Sequence, residues 1–101
     1  MIYKLVVPGP IEGVQEVRVL EWHGAPGRRF EPGELVVELE THKATIEVRA
    51  NRPGVLRRVL CEEGGWSPVG SALALLSDHA SEALPESPEA LEQLPVEFEI
   101  G

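Results

Sequence analysis

The sequence predicts an all-β domain, built as a sandwich or barrel of short strands. Short runs in which apolar and polar residues alternate recur along most of the chain, and Gly or Pro interrupts nearly every gap between them. No window before His79 shows helical periodicity. At 101 residues, 43% of them hydrophobic, the chain is long enough to bury one modest core.

The predicted strands follow one another in a regular order. The first is an apolar run closed by Pro8-Gly9-Pro10, and the second ends before the turn sequence HGAPG. Two alternating strands then flank the turn THKA, and alternation in the first of them puts Leu35, Val37 and Leu39 on one face and Val36 on the other. The predicted strands cover residues 2–7, 17–21, 35–40, 45–50, 55–60 and 73–76.

The composition of the chain changes near Asp78. Residues 79–101 contain six glutamates and no Lys or Arg, so this segment carries −6 of the net charge of −8. We therefore predict a folded domain over 1–78 and a loosely held acidic tail over 79–101. Within the tail, Ser87 as N-cap and Pro88 as first helical residue predict a short helix, and the alternation in VEFEI predicts a terminal strand.

Two segments of the predicted domain resemble each other. RVLEWHGAPGRRFEPGELVVEL and RRVLCEEGGWSPVGSALALL share the order strand, Gly-bearing turn, polar stretch, Gly and apolar strand. In this alignment Gly27 matches Gly64, and Gly33 matches Gly70. Two similar halves imply a pseudo-twofold sandwich, although Gly-rich β chains also produce such echoes by composition alone.

The turn at the junction of the two halves lies in the stretch ELETHKATIEV, and Lys43 stands near its tip. A tight hairpin fixes its backbone through ladder hydrogen bonds and points the side chain at its tip toward solvent. Such a lysine is accessible to a modifying enzyme. Taken by itself, the pattern favours an ordinary solvated turn residue at Lys43 over a modified one.

Three motifs follow one another in the predicted domain: ETHKA at 40–44, then ANRPGVL, and then EEGGWSPVGSAL. Together they resemble the lipoyl domain of 2-oxo acid dehydrogenase complexes. That family typically shows an E-T-D-K-A turn, a P-x-x-G-V segment and an E-G-D-x-V-x-V-G-x-x-L stretch, in the same order and at matching spacing. The resemblance covers essentially residues 1–78.

The resemblance implies a fold and a site. The fold is a flattened β-barrel, or barrel-sandwich hybrid, of two four-stranded sheets. Lys43 is the residue that receives lipoic acid in amide linkage, and Glu40 is associated with recognition by the lipoylating enzyme. His42 stands where the family usually has Asp, so the turn loses a fixed negative charge that bears on recognition by a partner dehydrogenase.

The resemblance also implies a role as a carrier that is not itself an enzyme. The lipoyl arm takes acyl groups or electrons between separate active sites, while the protein supplies presentation and recognition. The implied partners are a lipoylating enzyme and enzymes of the 2-oxo acid dehydrogenase and dihydrolipoamide dehydrogenase types. The chain ends at Gly101 without the linker and catalytic domain of the family's acyltransferases. We therefore expect a stand-alone carrier, in preference to a part of a dihydrolipoamide acyltransferase.

Two alternatives remain open at this point. Biotin carrier domains share the fold, but their pattern places Met on both sides of the lysine, where this chain has His42 and Ala44. The other alternative is an unmodified β-sandwich that serves in binding or assembly.

Composition and spacing also predict what the protein lacks. The net charge of −8 argues against a nucleic-acid partner, and the short, interrupted apolar runs predict no membrane span. The single Cys61, expected to be a buried or half-buried small hydrophobe, suits a reducing cytoplasm. His23 and His79 have no partners at ligand spacing, so the sequence predicts no metal site, and no catalytic constellation is present.

Overall fold

The computed structural model describes residues 1–87, 89 and 91–100, and every regular element in this part of the chain is a strand, which confirms the all-β prediction. No helix of the described residues is long and apolar enough to cross a membrane. The ten strands are β1 (Ile2–Val6), β2 (Glu16–Trp22), β3 (Arg29–Phe30), β4 (Leu35–Glu40), β5 (Thr45–Ala50), β6 (Gly54–Val59), β7 (Trp66–Pro68), β8 (Ala72–Ser77), β9 (Glu92–Gln93) and β10 (Val96–Ile100).

The strands form two five-stranded sheets that enclose one core. Sheet I has the order β3-β6-β8-β1-β9, and sheet II has the order β10-β5-β4-β2-β7. Residues 1–78 supply four strands to each sheet, as the resemblance implied, and the fifth strand of each sheet comes from the predicted tail. Large side chains from both sheets are fully buried between them, among them Leu5, Phe30, Leu39, Ile46, Leu56 and Leu73.

The two sheets are related by the predicted pseudo-twofold. Strands β3-β6-β8-β1 of sheet I correspond in order to β7-β2-β4-β5 of sheet II. The hydrogen bonds repeat as well: the amide of Gly27 donates to the carbonyl of Leu56 (2.7 Å), and the amide of Gly64 donates to the carbonyl of Val19 (2.8 Å). The matched glycines share left-handed backbone conformations, a region that favours glycine; the φ angles are 103° and 88° for Gly27 and Gly64, and 90° for both Gly33 and Gly70.

The alternation predicted for β4 holds only in part. A register shift between Leu35 and Val37 interrupts the pairing of β4 with β5. Because a β-bulge turns the chain by one residue, Val36 and Val37 are both buried, while Leu35 is only half-buried. The sequence pattern alone does not reveal a bulge between two valines.

The tail packs onto both sheets and is more ordered than predicted. Strand β10 pairs antiparallel with β5, and β9 pairs parallel with β1. Between them, Leu94 is 3% exposed, and its amide donates to the carbonyl of Lys4 (2.8 Å). Part of the predicted helix, at Pro88 and Ala90, lies outside the described residues. Glu92–Gln93 form a strand, so the helix prediction is wrong there. Burial of Leu94 and strand pairing outweigh a helix too short to be stable by itself.

Charge contacts fix the start of the tail beside the first residue of the chain. The ammonium group of Met1 lies 2.5 Å from the carboxylate of Glu82 and 3.3 Å from that of Asp78. The hydrogen bond from this ammonium lowers the pKa of Glu82. Arg52 reaches the other oxygen of Asp78 at 2.9 Å, so the point where the predicted domain meets its tail is a small ion-pair network.

Candidate modification site at the β4–β5 turn

The turn between β4 and β5 is held by one buried hydroxyl group. Glu40 and Thr45 are the last paired residues of the hairpin, and the amide of Thr41 donates to the carbonyl of Ala44 at 2.8 Å. The Oγ1 of Thr41 accepts hydrogen bonds from the amides of Lys43 (3.1 Å) and Ala44 (3.0 Å). Since Thr41 is 7% exposed, this local motif fixes the backbone of the turn from the inside.

Lys43 projects from this fixed backbone into solvent. Both Lys43 and His42 are exposed, and no ion pair among the described residues involves Lys43. Its ammonium group lies beside the loop between β1 and β2, where a Cβ added to Gly13 would stand 2.6 Å from Nζ. The structure therefore places Lys43 in an exposed position in the β4–β5 turn, as the sequence predicts.

Glu40 lies at the base of the same turn, on the outer face of sheet II. Its carboxylate is 3.6 Å from the guanidinium of Arg18 on the neighbouring strand β2, and both side chains are partly exposed. The cross-strand pair orients Glu40 without removing it from solvent. Glu40, His42 and Lys43 thus share one end of one sheet.

A groove of about 480 Å³ opens beside the turn. One wall is the β1–β2 loop, and the other is formed by His42 and by Trp66, the first residue of β7, which is 54% exposed. Trp66 cannot be assigned to the site from the sequence, because only the pairing of β7 with β2 brings it near the turn. The full lining of the groove is Gly13, Val14, Gln15, Glu16, His42 and Trp66.

The arrangement presents the amine of Lys43 on a turn that hydrogen bonds hold in place. The hydroxyl of Thr41 is committed to the turn, since it also donates to the carbonyl of Ala44 at 3.1 Å. The amine of Lys43 is accessible to another enzyme, and the backbone that carries it is fixed by hydrogen bonds. A residue that anchors a covalently attached group requires both properties.

The structure also brings together a second cluster of polar side chains, which the sequence pattern does not predict. On the outer face of sheet II, Nε2 of His23 lies 3.4 Å from a carboxylate oxygen of Glu38 and 4.0 Å from one of Glu21. The expectation that His23 has no partners at ligand spacing is therefore wrong. Glu21 is close to His23 in the sequence, but Glu38 arrives only through the pairing of β2 with β4.

Comparison with known proteins identifies similar chains. Residues 3–76 match the model of the biotin/lipoyl family, described as biotin-requiring enzyme. The solved structure of the lipoyl domain of the 2-oxoglutarate dehydrogenase complex from Azotobacter vinelandii is similar, with a TM-score of 0.65 and 30% identity. The match covers 75% of this chain and 96% of that domain.

Two curated relatives show how much of a longer protein the chain resembles. The dihydrolipoyllysine-residue succinyltransferase component of the 2-oxoglutarate dehydrogenase complex from Bacillus subtilis is 34% identical over 84% of this chain and 20% of its own length. The chloroplastic dihydrolipoyllysine-residue acetyltransferase component 5 of the pyruvate dehydrogenase complex from Arabidopsis thaliana is 35% identical over 80% of this chain and 17% of its own length. The chain thus spans about a fifth of the length of the curated relatives it matches.

Proposed function

This chain belongs to the biotin/lipoyl attachment family, and on that basis we propose that it carries lipoic acid in amide linkage on Lys43. Membership in the family agrees with the resemblance seen in the sequence and with the expectation of a carrier domain that is not itself a catalyst. The observation that carries the proposal is the exposed Lys43 at the tip of a turn whose backbone is fixed by the buried Thr41.

Lipoate is favoured over biotin by the neighbours of the lysine and by the relatives. Lys43 stands between His42 and Ala44, not between the methionines of the biotin pattern. The relatives named above are dihydrolipoyllysine-residue acyltransferase components, and the similar solved structure is a lipoyl domain. Biotin remains the second candidate because the family includes carriers of both groups.

The residues of this chain would supply presentation. When bound, the lipoyl group supplies a dithiolane that accepts acyl groups or electrons. The Thr41 hydroxyl holds the backbone from which that group would extend, and the ion pair with Arg18 keeps Glu40 in a defined position at the base of the turn. We assign to Glu40 a role in recognition by the lipoylating enzyme.

The proposed partners follow from the same site. They are a lipoylating enzyme and enzymes of the 2-oxo acid dehydrogenase and dihydrolipoamide dehydrogenase types. We propose that the surface read by a dehydrogenase consists of His42 and the groove that Trp66 and the β1–β2 loop form beside it. Whether the carrier acts as a stand-alone protein stays a prediction.

Lipoylation with purified components tests the proposal. The full chain is incubated with a lipoate ligase, lipoate and ATP, and its intact mass is measured; Lys43→Arg removes the proposed site, and Lys4→Arg is the matched control at the other lysine of the chain. We expect one lipoyl group on the wild type and on Lys4→Arg, and none on Lys43→Arg. Modification of Lys43→Arg would show that the site is assigned wrongly.

A parallel reaction with a biotin ligase and biotin separates the two candidate groups. We expect no biotin on the wild type. Efficient biotinylation of Lys43 together with failure of lipoylation would replace the proposal by its second candidate.

A further inference from the structure

We propose that Glu21, His23 and Glu38 form a binding site for a divalent transition-metal ion, best matched by Zn²⁺. Glu21 lies on β2, His23 follows directly after β2, and Glu38 lies on β4. Glu21 stands directly opposite Glu38 in the register of the two strands. One imidazole nitrogen and two carboxylates are ligands that Zn²⁺ takes in proteins. The site is separate from the Lys43 turn and does not depend on the function proposed for that turn.

The distances fit the coordination of one small ion. Ligand atoms at about 2.0–2.2 Å from a tetrahedral Zn²⁺ lie roughly 3.4 Å from one another. The Nε2 of His23 is 3.4 Å from Glu38 and 4.0 Å from Glu21, and one ligand atom of each residue lies within 4.8 Å of the other two. Glu21 is the most exposed of the three, so its side chain can close the remaining gap by rotation.

The imidazole nitrogen that points into the cluster lacks a hydrogen-bond partner. Although the His23 side chain is 28% exposed, its Nε2 atom is buried, and it has no hydrogen bond among the described residues. A buried polar atom without a partner lowers the stability of a fold. A bound metal ion gives this nitrogen the partner that it lacks.

A row of glutamates across neighbouring strands also favours a bound cation at the cluster. Glu38 is flanked in register by Glu21 on one side and by Glu47 on the other, and Glu47 stands opposite Glu99 of β10. Like charges directly opposite each other on neighbouring strands repel. Arg49 lies 3.5 Å from Glu47 and offsets the charge at that end of the row.

Among the ion pairs of the described residues, Glu21 and Glu38 have no Arg or Lys partner, and His23 is their only cationic candidate. A divalent ion there would neutralise both carboxylates at once.

The ligand set also narrows the identity of the ion. An imidazole with only two carboxylates suits Zn²⁺ and its transition-metal neighbours better than Mg²⁺ or Ca²⁺, which prefer oxygen ligands alone. Three protein ligands leave a fourth tetrahedral position for water or for a group from outside the chain. The site would join β2 to β4, the strand that leads into the Lys43 turn.

Zinc binding to the full chain tests the proposal. The assay uses the Lys43→Arg chain, because the thiols of a reduced lipoyl group would bind zinc themselves. The protein is stripped with a chelator and dialysed against ZnCl₂, and bound zinc is measured per chain. The imidazole NMR signals are followed in the same titration, and since the chain has three histidines, each signal can be assigned by substitution. We expect one zinc per chain and a shift of the His23 signals at one equivalent.

Matched variants separate this cluster from other ligands. We expect His23→Gln and Glu38→Gln each to weaken zinc binding on the order of tenfold or more, as loss of a direct ligand should exceed the effect of an outer-sphere change. His79→Gln and Glu47→Gln are the controls, and we expect both to bind as the parent chain does.

Three results would overturn the proposal. They are the absence of stoichiometric zinc, binding that His23→Gln leaves unchanged, and binding that disappears in Cys61→Ser. The first would mean that the three side chains meet without holding an ion.

Discussion

At the scale of single residues, the site depends on Thr41, which holds the turn, as much as on Lys43 at its tip. The positions of Lys43 and Glu40 could be predicted from the sequence, because alternation and the turn motif place them locally. The part played by Thr41 could not, since it rests on three hydrogen bonds whose geometry no pattern specifies. The His23 cluster escaped prediction for a different reason: cross-strand register brings Glu38 to it.

The hydroxyl of Thr41 gives a first prediction. Thr41→Val keeps the size and β-branching of the side chain but leaves the amides of Lys43 and Ala44 without their acceptor. We expect the free energy of unfolding to fall by about 1–3 kcal/mol and lipoylation to slow, because the backbone of the turn is no longer fixed. Denaturant unfolding and the initial rate of lipoylation are the measurements.

The control for this change is Thr45→Val, since Thr45 begins β5 at an exposed position on the same hairpin. It should change neither quantity appreciably. Equal effects of the two substitutions would mean that the Thr41 hydroxyl has no special part in holding the turn.

Glu40 gives a second prediction. Glu40→Gln removes a charge from an ion pair that is more than 40% exposed on both sides, so the free energy of unfolding should change by no more than about 0.5 kcal/mol. We expect a lower rate of lipoylation, measured by the mass shift over time. Glu47→Gln, on the outer face of the same sheet, is the control, and the role assigned to Glu40 fails if both variants react at the wild-type rate.

At the scale of strands, the acidic tail contributes an element to each sheet. The alternation in VEFEI predicts a strand, but its pairing partner could not be inferred, because an exposed edge pairs with any complementary edge. In the structure β10 lies along β5, with Phe98 opposite Val48 and Ile100 opposite Ile46. The edge of β5, the strand that follows the Lys43 turn, is thereby covered.

Leu94 anchors this arrangement, and its truncation is a third prediction. Leu94 is 3% exposed and belongs to the core cluster although it lies in the segment predicted to be a tail. Leu94→Ala should lower the free energy of unfolding by about 2–5 kcal/mol, the usual loss for a buried leucine. Leu60→Ala, at a leucine that is 41% exposed, should have a much smaller effect. Similar losses for the two variants in denaturant unfolding would contradict the docking of the tail.

At the scale of the whole molecule, the two halves of the fold correspond to an internal repeat that is visible in the sequence. The matching glycines of the repeat predict two equivalent halves. In the structure these glycines have the same left-handed backbone conformation, and the hydrogen bond of Gly27 is repeated at Gly64. Composition predicts the division into a domain over 1–78 and a loosely held tail, since glutamate and proline are typical of disordered segments. Composition could not reveal that Leu94 and the alternating end of the chain complete both sheets.

Removal of the tail is the corresponding prediction. A chain that ends at Asp78 retains four strands in each sheet and the Lys43 turn, so we expect it to fold and to accept lipoate. It should unfold at lower denaturant concentration, because the side of the core that Leu94 covers becomes exposed and the edge of β5 opens. An unchanged unfolding midpoint would show that the tail contributes nothing to stability.

The central claim is that Lys43 carries the lipoyl group in the cell, and mass mapping of the protein isolated from its native cells tests it most directly. Intact mass gives the attached group, and fragmentation of the peptides that contain Lys4 and Lys43 gives its position. We expect the increment of one lipoyl group, or of its acylated or reduced form, on Lys43 and none on Lys4. Protein that is wholly unmodified at Lys43, or that carries biotin there, would contradict the claim.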